Sequence, residues 1–225
     1  MSPRITRLFV LWSDPQDGTR YVIGDLSREV DGFKFAYGRE LDRALARGLK
    51  LLPEFPDRSK SYGERHLFST FAQRIPSPAR PDFSQMMDSW GVRVELRDDP
   101  MEILARSGGI QATDRLELAE FRDDLDPLTQ PLLFRVAGPK HHDGTPQLCA
   151  GEHVVLLREK ANPHDEYATL VLKKAGRPIG YVPRQYSKMI SQHLDTGHAL
   201  ESVAVQRLVV PPDRGRWVIS VRRTR

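Results

Sequence analysis

Residues 5–12 form an apolar, β-prone run, residues 13–19 a turn rich in Asp, Pro and Gly, and residues 20–26 a second apolar run. After the Glu29-Val30-Asp31-Gly32 turn, residues 33–37 alternate, so that Phe33, Phe35 and Tyr37 share one face and Lys34 takes the other. This pattern predicts an antiparallel meander whose aromatic face is core. Beyond Gly38 the period lengthens, and Leu41, Leu45 and Leu49 recur every four residues. That spacing predicts a short amphipathic helix ended by Gly48, with Pro53 and Pro56 at its exit. Helices are also expected over residues 64–73, 83–90 and 100–105. The first two are separated by the stiff, Pro-rich connector 75–81, and the third opens on Pro100, where a missing N–H costs nothing.

Residues 123–130 are polar, short and Pro-containing, which makes them the expected boundary between a domain over 1–125 and a second over 131–225. In the second part, strands are expected at residues 131–137, 153–158, 168–173, 179–182, 200–210 and 217–222. A loop is expected at 138–144 and a Pro-Pro-Asp-Arg-Gly turn at 211–215. Pro183 opens a helix to residue 194 that buries Tyr186, Met189, Ile190 and Leu194 and stops at Gly197. Six short strands with one inserted helix suit a small, partly open β-barrel, because closing a sheet removes its exposed edges. The expected class is α+β: an N-terminal antiparallel meander with helices, then a small barrel.

Two of these strands flank a polar elbow, Asn162-Pro163-His164-Asp165. Pro fixes φ and short Asx side chains bond back to their own backbone, so the elbow is a rigid turn. Asn162 is the only asparagine in the chain. Its amide can both donate and accept, which suits ligand binding, but a plain Asx-Pro turn explains it equally well.

The run LLREKANPHDEYATLVL, followed by GRPIGYVPRQYSKMI, resembles the HIRAN domain. That family's pattern is a strand ending Arg-Glu, an Asn-Pro-aromatic-Asp turn, a strand beginning Ala, and then Ile-Gly-Tyr/His-Leu/Val-Pro. The resemblance covers residues 131 to the C-terminus. It implies a small OB-like barrel that binds DNA, often single-stranded ends, in repair and replication-fork processing. It also implies that Asn162, His164 and Asp165 line a DNA pocket, with His164 where many members have Tyr. The family's aromatic pair on the first strand falls near Arg135 and Val136, so one stacking platform is missing. More weakly, VIGDLSREVDGFKFAYG and DPMEILARSGG are similar to the N-terminal subdomain of HipA-type toxin kinases. No P-loop, H-R-D or D-F-G motif accompanies them, so no phosphoryl transfer is carried over.

Charge sharpens the division. The net charge is +4, but residues 126–225 carry 15 Lys/Arg against 9 Asp/Glu, whereas residues 1–125 carry 19 against 21. A basic module of this kind is the footprint of a polyanion ligand, a solvated basic face being the plainer reading. Arg135 and Arg184 are candidates for phosphate, and His164 and Tyr181 for stacking. Asn162 and Asp165 suit hydrogen bonds to a sugar or terminal hydroxyl, and Arg222 and Arg223 suit unspecific backbone contact. A single Cys149 excludes an internal disulfide, no run approaches the ~18 apolar residues of a membrane span, and the N-terminus lacks a signal-peptide core. A cytoplasmic setting is expected.

His141, His142, His153 and His164 with Cys149 raise zinc. However, there is one cysteine, no C-x-x-C and no i, i+4 His pair, so no cofactor is expected. Asp123, Asp124 and Asp126 could hold a divalent ion, though a solvated acidic linker fits the composition better. The reading is a non-enzymatic protein that binds DNA, as single strands or ends, in repair or defence. The alternative is an adaptor whose N-terminal domain docks a separate kinase or defence enzyme as its partner protein.

Overall fold

The computed structural model describes residues 4–138, 148–174, 176–208 and 216–224, and the chain divides into two units, Met1–Phe121 and Arg122–Arg225. The first unit contains β1 (Arg7–Ser13), β2 (Arg20–Glu29), β3 (Gly32–Tyr37), α1 (Leu41–Ala46), β4 (Ser61–Glu64), α2 (Ser69–Ala72), α3 (Phe83–Ser89), α4 (Pro100–Ser107) and β5 (Leu116–Glu120). Its strands form one antiparallel sheet in the order β4-β3-β2-β1-β5. The expected meander is its centre. Phe35 is fully buried, with its ring 4.2 Å from that of Phe55 and 5.7 Å from that of Phe71, while Phe33 and Tyr37 pack half-buried on the same core. Lys34 is exposed, as the alternation requires. In α4, Asp99 caps the backbone N–H groups of Met101 (3.0 Å) and Glu102 (3.3 Å), and Gly108 ends the helix at φ 78°.

The helix expected over 64–73 is a correction. Residues 61–64 pair instead with the edge of β3, Tyr62 opposite Phe35, and only Ser69–Ala72 is helical. Burial of the Tyr62 ring against Phe55 rewards the strand more than local propensity rewards a helix. β5 was not anticipated, although Leu116 and Leu118 alternate inward and pair with β1.

The second unit contains β6 (Leu132–Arg135), β7 (Val154–Arg158), β8 (Thr169–Lys173), β9 (Pro178–Tyr181), α5 (Arg184–Asp195), β10 (Leu200–Leu208) and β11 (Arg216–Arg223). The fold is α+β, as expected. Among the described residues there are two three-stranded antiparallel sheets, β10-β11-β6 and β7-β8-β9, and no closed barrel. Single bridges, Ala137 with Tyr181 and His153 with Val203, join the two sheets. β6 and β9 have only 4 residues each, too short for a continuous ladder at the seam. Gly180 makes that seam possible. Its φ is 151°, and a Cβ there would stand 2.4 Å from the Ala137 carbonyl oxygen. On α5, Tyr186, Met189 and Ile190 are buried as expected, whereas Leu194 is half-buried and His193 takes the inward place. The turn at 211–215, Arg225 and most of the loop expected at 138–144, with His141 and His142, lie outside the described residues.

Candidate nucleic-acid interface

The elbow is held by the last residue of its incoming strand, Arg158, and the residue that follows it, Glu159. Arg158, at the end of β7, reaches across the turn and donates to the carbonyls of Ala168 (3.0 Å) and Glu166 (3.1 Å), with Asp195 of α5 at 3.3 Å. Glu159 binds the other side. Its Oε2 accepts from Asn162 Nδ2 (2.6 Å) and from the Tyr181 hydroxyl (3.0 Å). Asn162 Oδ1 in turn accepts the backbone N–H groups of His164 (2.9 Å) and Asp165 (3.1 Å), and Asp165 Oδ1 accepts that of Tyr167 (2.9 Å). One carboxylate oxygen therefore fixes both the turn and the aromatic side chain at the end of β9. Burial, and then the hydrogen bond and charge of Glu159, push the Tyr181 phenol above its ordinary value, so it stays a neutral donor.

These bonds sort the candidate residues. Asn162 is the keystone of an Asx turn, and three of its contacts are internal. His164 is exposed, Asp165 half-buried, and Tyr181 half-buried beside them, so this trio is brought together. Arg184 is exposed at the first position of α5, three residues past Tyr181. Arg135 is placed differently: it sits in β6 opposite Val218 and is only 9% exposed, so its guanidinium is not presented as that of Arg184 is. Val136, its neighbour, is 1% exposed and cannot stack on a ligand. Arg222 and Arg223 are exposed but lie past Val221 on β11, with Val218 the residue opposite Arg135, so they stand ~13 Å or more along the strand from that pairing. Arg222 Nε is also spoken for by Glu201 (2.5 Å).

Sequence reasoning missed Glu159 as a site residue, although the Arg-Glu ending of the strand was legible. The acidic run behaves as a bonded segment: Lys188 meets Asp124 (2.9 Å) and Arg122 meets Asp126 (3.0 Å). Among the described residues no three His, Cys, Asp or Glu side chains are grouped to hold a metal ion.

The elbow, the Ile179-Gly180-Tyr181 strand and the helix that follows all fall inside residues 132–213, which match the HIRAN domain family model. This part of the chain is a HIRAN domain. Among solved structures, the chain is similar to the HIRAN domain of human HLTF at 20% identity, over 43% of this chain and 76% of that one, with a TM-score of 0.37. A protein from Lactobacillus plantarum is similar at 20% identity, over 42% of this chain and 97% of that one, with a TM-score of 0.34. No curated protein matches the sequence. The HIRAN domain thus accounts for the elbow, β9 and α5, and the first unit lies outside its matched range.

Proposed function

We propose that the protein binds DNA through its HIRAN domain, taking single strands or strand ends at the face formed by the elbow, Tyr181 and Arg184, and that it does so without catalysis of its own. HIRAN domains are generally DNA-binding modules, which supports nucleic acid as the ligand class. The observation that carries the finer reading is the Glu159 hub. It pre-orients an exposed turn and an aromatic ring side by side at small entropic cost to a ligand, with a cation a few residues away. His164 and Tyr181 offer rings to bases, Asp165 an acceptor to a hydroxyl, and Arg184 a phosphate contact. A role in DNA repair or defence, in the cytoplasm, fits this reading.

Fluorescence anisotropy with single-stranded, blunt duplex and recessed-end oligonucleotides at two salt concentrations tests it. Preference for the single-stranded or recessed probe, falling steeply with salt, is expected. No binding to any probe at low salt would reject it.

A further inference from the structure

Resting on that reading, we propose that the ligand path continues from the elbow across the outer face of the β7-β8-β9 sheet, where unpaired bases of the same single strand lie on an apolar row. Cross-strand partners share a face in an antiparallel sheet. Leu157 stands opposite Leu170, and Leu170 opposite Tyr181, so these three side chains form one row that ends at the elbow's aromatic residue. Val155, two residues before Leu157, adds a second position on the same face, opposite Leu172. Val155 is 44% and Leu157 51% exposed, while Val154 on the opposite face is 6%. Val155 and Leu157 thus leave about half of their apolar surface to solvent, and together they extend the surface that Tyr181 begins.

Charge selects the occupant. At the end of the sheet away from the elbow, beyond Leu172, the turn between β8 and β9 carries Lys174 and Arg177, both exposed, and at the elbow end stands Arg184. Arg177 and Arg184 form no ion pair among the described residues, and Lys174 interacts with Glu152 through its charge. Two acids of this sheet and its elbow are occupied: Glu152 meets Lys173 (3.2 Å) and accepts the Cys149 N–H, and Glu159 holds Asn162 and Tyr181. An apolar face of two rows, ~7 Å apart along the strands and ~10 Å across three strands, with cations at both ends fits a strand whose bases are apolar on their faces and whose backbone is anionic. An electroneutral protein surface would leave those cations unmatched.

The test uses the full chain and labelled oligothymidines of about 4 and about 16 nucleotides, spanning the usual site sizes of OB-type folds. The wild type is expected to bind the longer probe more tightly. Val155→Ser with Leu157→Ser should lower affinity for the longer probe about tenfold and leave the shorter one unchanged, because apolar surface that would cover bases is removed only beyond the elbow. Lys174→Ala with Arg177→Ala should reduce the salt slope for the longer probe by about two contacts. Equal binding of both probes by the wild type overturns the extended path while leaving the elbow reading intact. Loss of binding to both probes in the serine variant, with an unchanged melting temperature, also overturns it. So does unchanged DNA affinity accompanied by loss of self-association in sedimentation, which would assign the row to a second copy of the chain. Absence of binding to either probe in the wild type removes both readings.

Discussion

The two units use polar residues in opposite ways. In the first unit, three ion pairs are set into the fold: Arg74, with a side chain 1% exposed, pairs with Asp114, Arg20 with Glu117 at 3.1 Å, and Arg28 with the capping Asp99. These pairs edge an aromatic core in which Phe55 touches Phe35, Phe68, Phe71 and Tyr62. In the second unit one polar network lies at the surface, where Arg158, Glu159 and Asn162 hold a half-exposed turn in one shape. Charge buried in pairs closes a surface, whereas polar groups tied together at the rim leave a shaped and accessible one.

That contrast can be broken most forcefully from the aromatic side. Phe55→Ala should cost the first unit ~3–5 kcal/mol by opening a cavity among four rings. If the units fold separately, calorimetry will show one transition collapse while DNA binding persists, and simultaneous loss of both would join them into one cooperative body. Gly180→Ala attacks the second unit at its seam. A Cβ beside the Ala137 carbonyl and Val136 Cγ1 cannot be accommodated at φ 151°, so a loss of ~1–3 kcal/mol is expected. An unchanged denaturant midpoint would mean that the single Ala137–Tyr181 bridge is dispensable.

Glu159→Ala should cost ~1–3 kcal/mol, because it leaves the Tyr181 hydroxyl and the Asn162 amide without their shared acceptor. Glu159→Gln keeps an acceptor oxygen and should recover much of the melting temperature. Equal losses in the two variants would show that charge, not acceptance, holds the elbow.

The smallest effect is in pH. Burial, then the charge of Arg223 and that of His193, hold the His198 imidazole below its ordinary value of 6.5. The neutral ring is thus favoured by folding, consistent with its Nδ1 lying 3.1 Å from that of His193, whose Nε2 donates to the Asp126 carbonyl (2.8 Å). A depressed base contributes stability that is complete above the unfolded value of about 6.5 and is lost as pH falls through the folded value. Thermal melts between about pH 8 and about pH 5 should therefore decline more steeply for the wild type than for His198→Gln, and parallel curves would remove the effect.

Much of this architecture was legible because it rests on local signals. Alternation marked β3, a four-residue leucine period marked α1, and Pro-in, Gly-out punctuation marked α4. What was not legible depended on distant pairing. Residues 61–64 became a strand only because β3 had an edge to offer, and β5 because β1 had another. At the candidate site, the elbow could be read from Asn162 and Pro163, but their keeper Glu159 could not be singled out. Its role appears only when β9 brings Tyr181 to the same carboxylate oxygen. Burial of Arg135 likewise follows from its pairing with β11.

The central claim, that ligand binds where the elbow meets Tyr181, is tested most directly by anisotropy of a single-stranded probe with Tyr181→Ala and Tyr181→Phe. Tyr181→Phe keeps the ring and should bind within about threefold of wild type, while Tyr181→Ala should lose about tenfold or more, the value of one stacked base at ~1–3 kcal/mol. Wild-type affinity in a folded Tyr181→Ala protein would contradict the account.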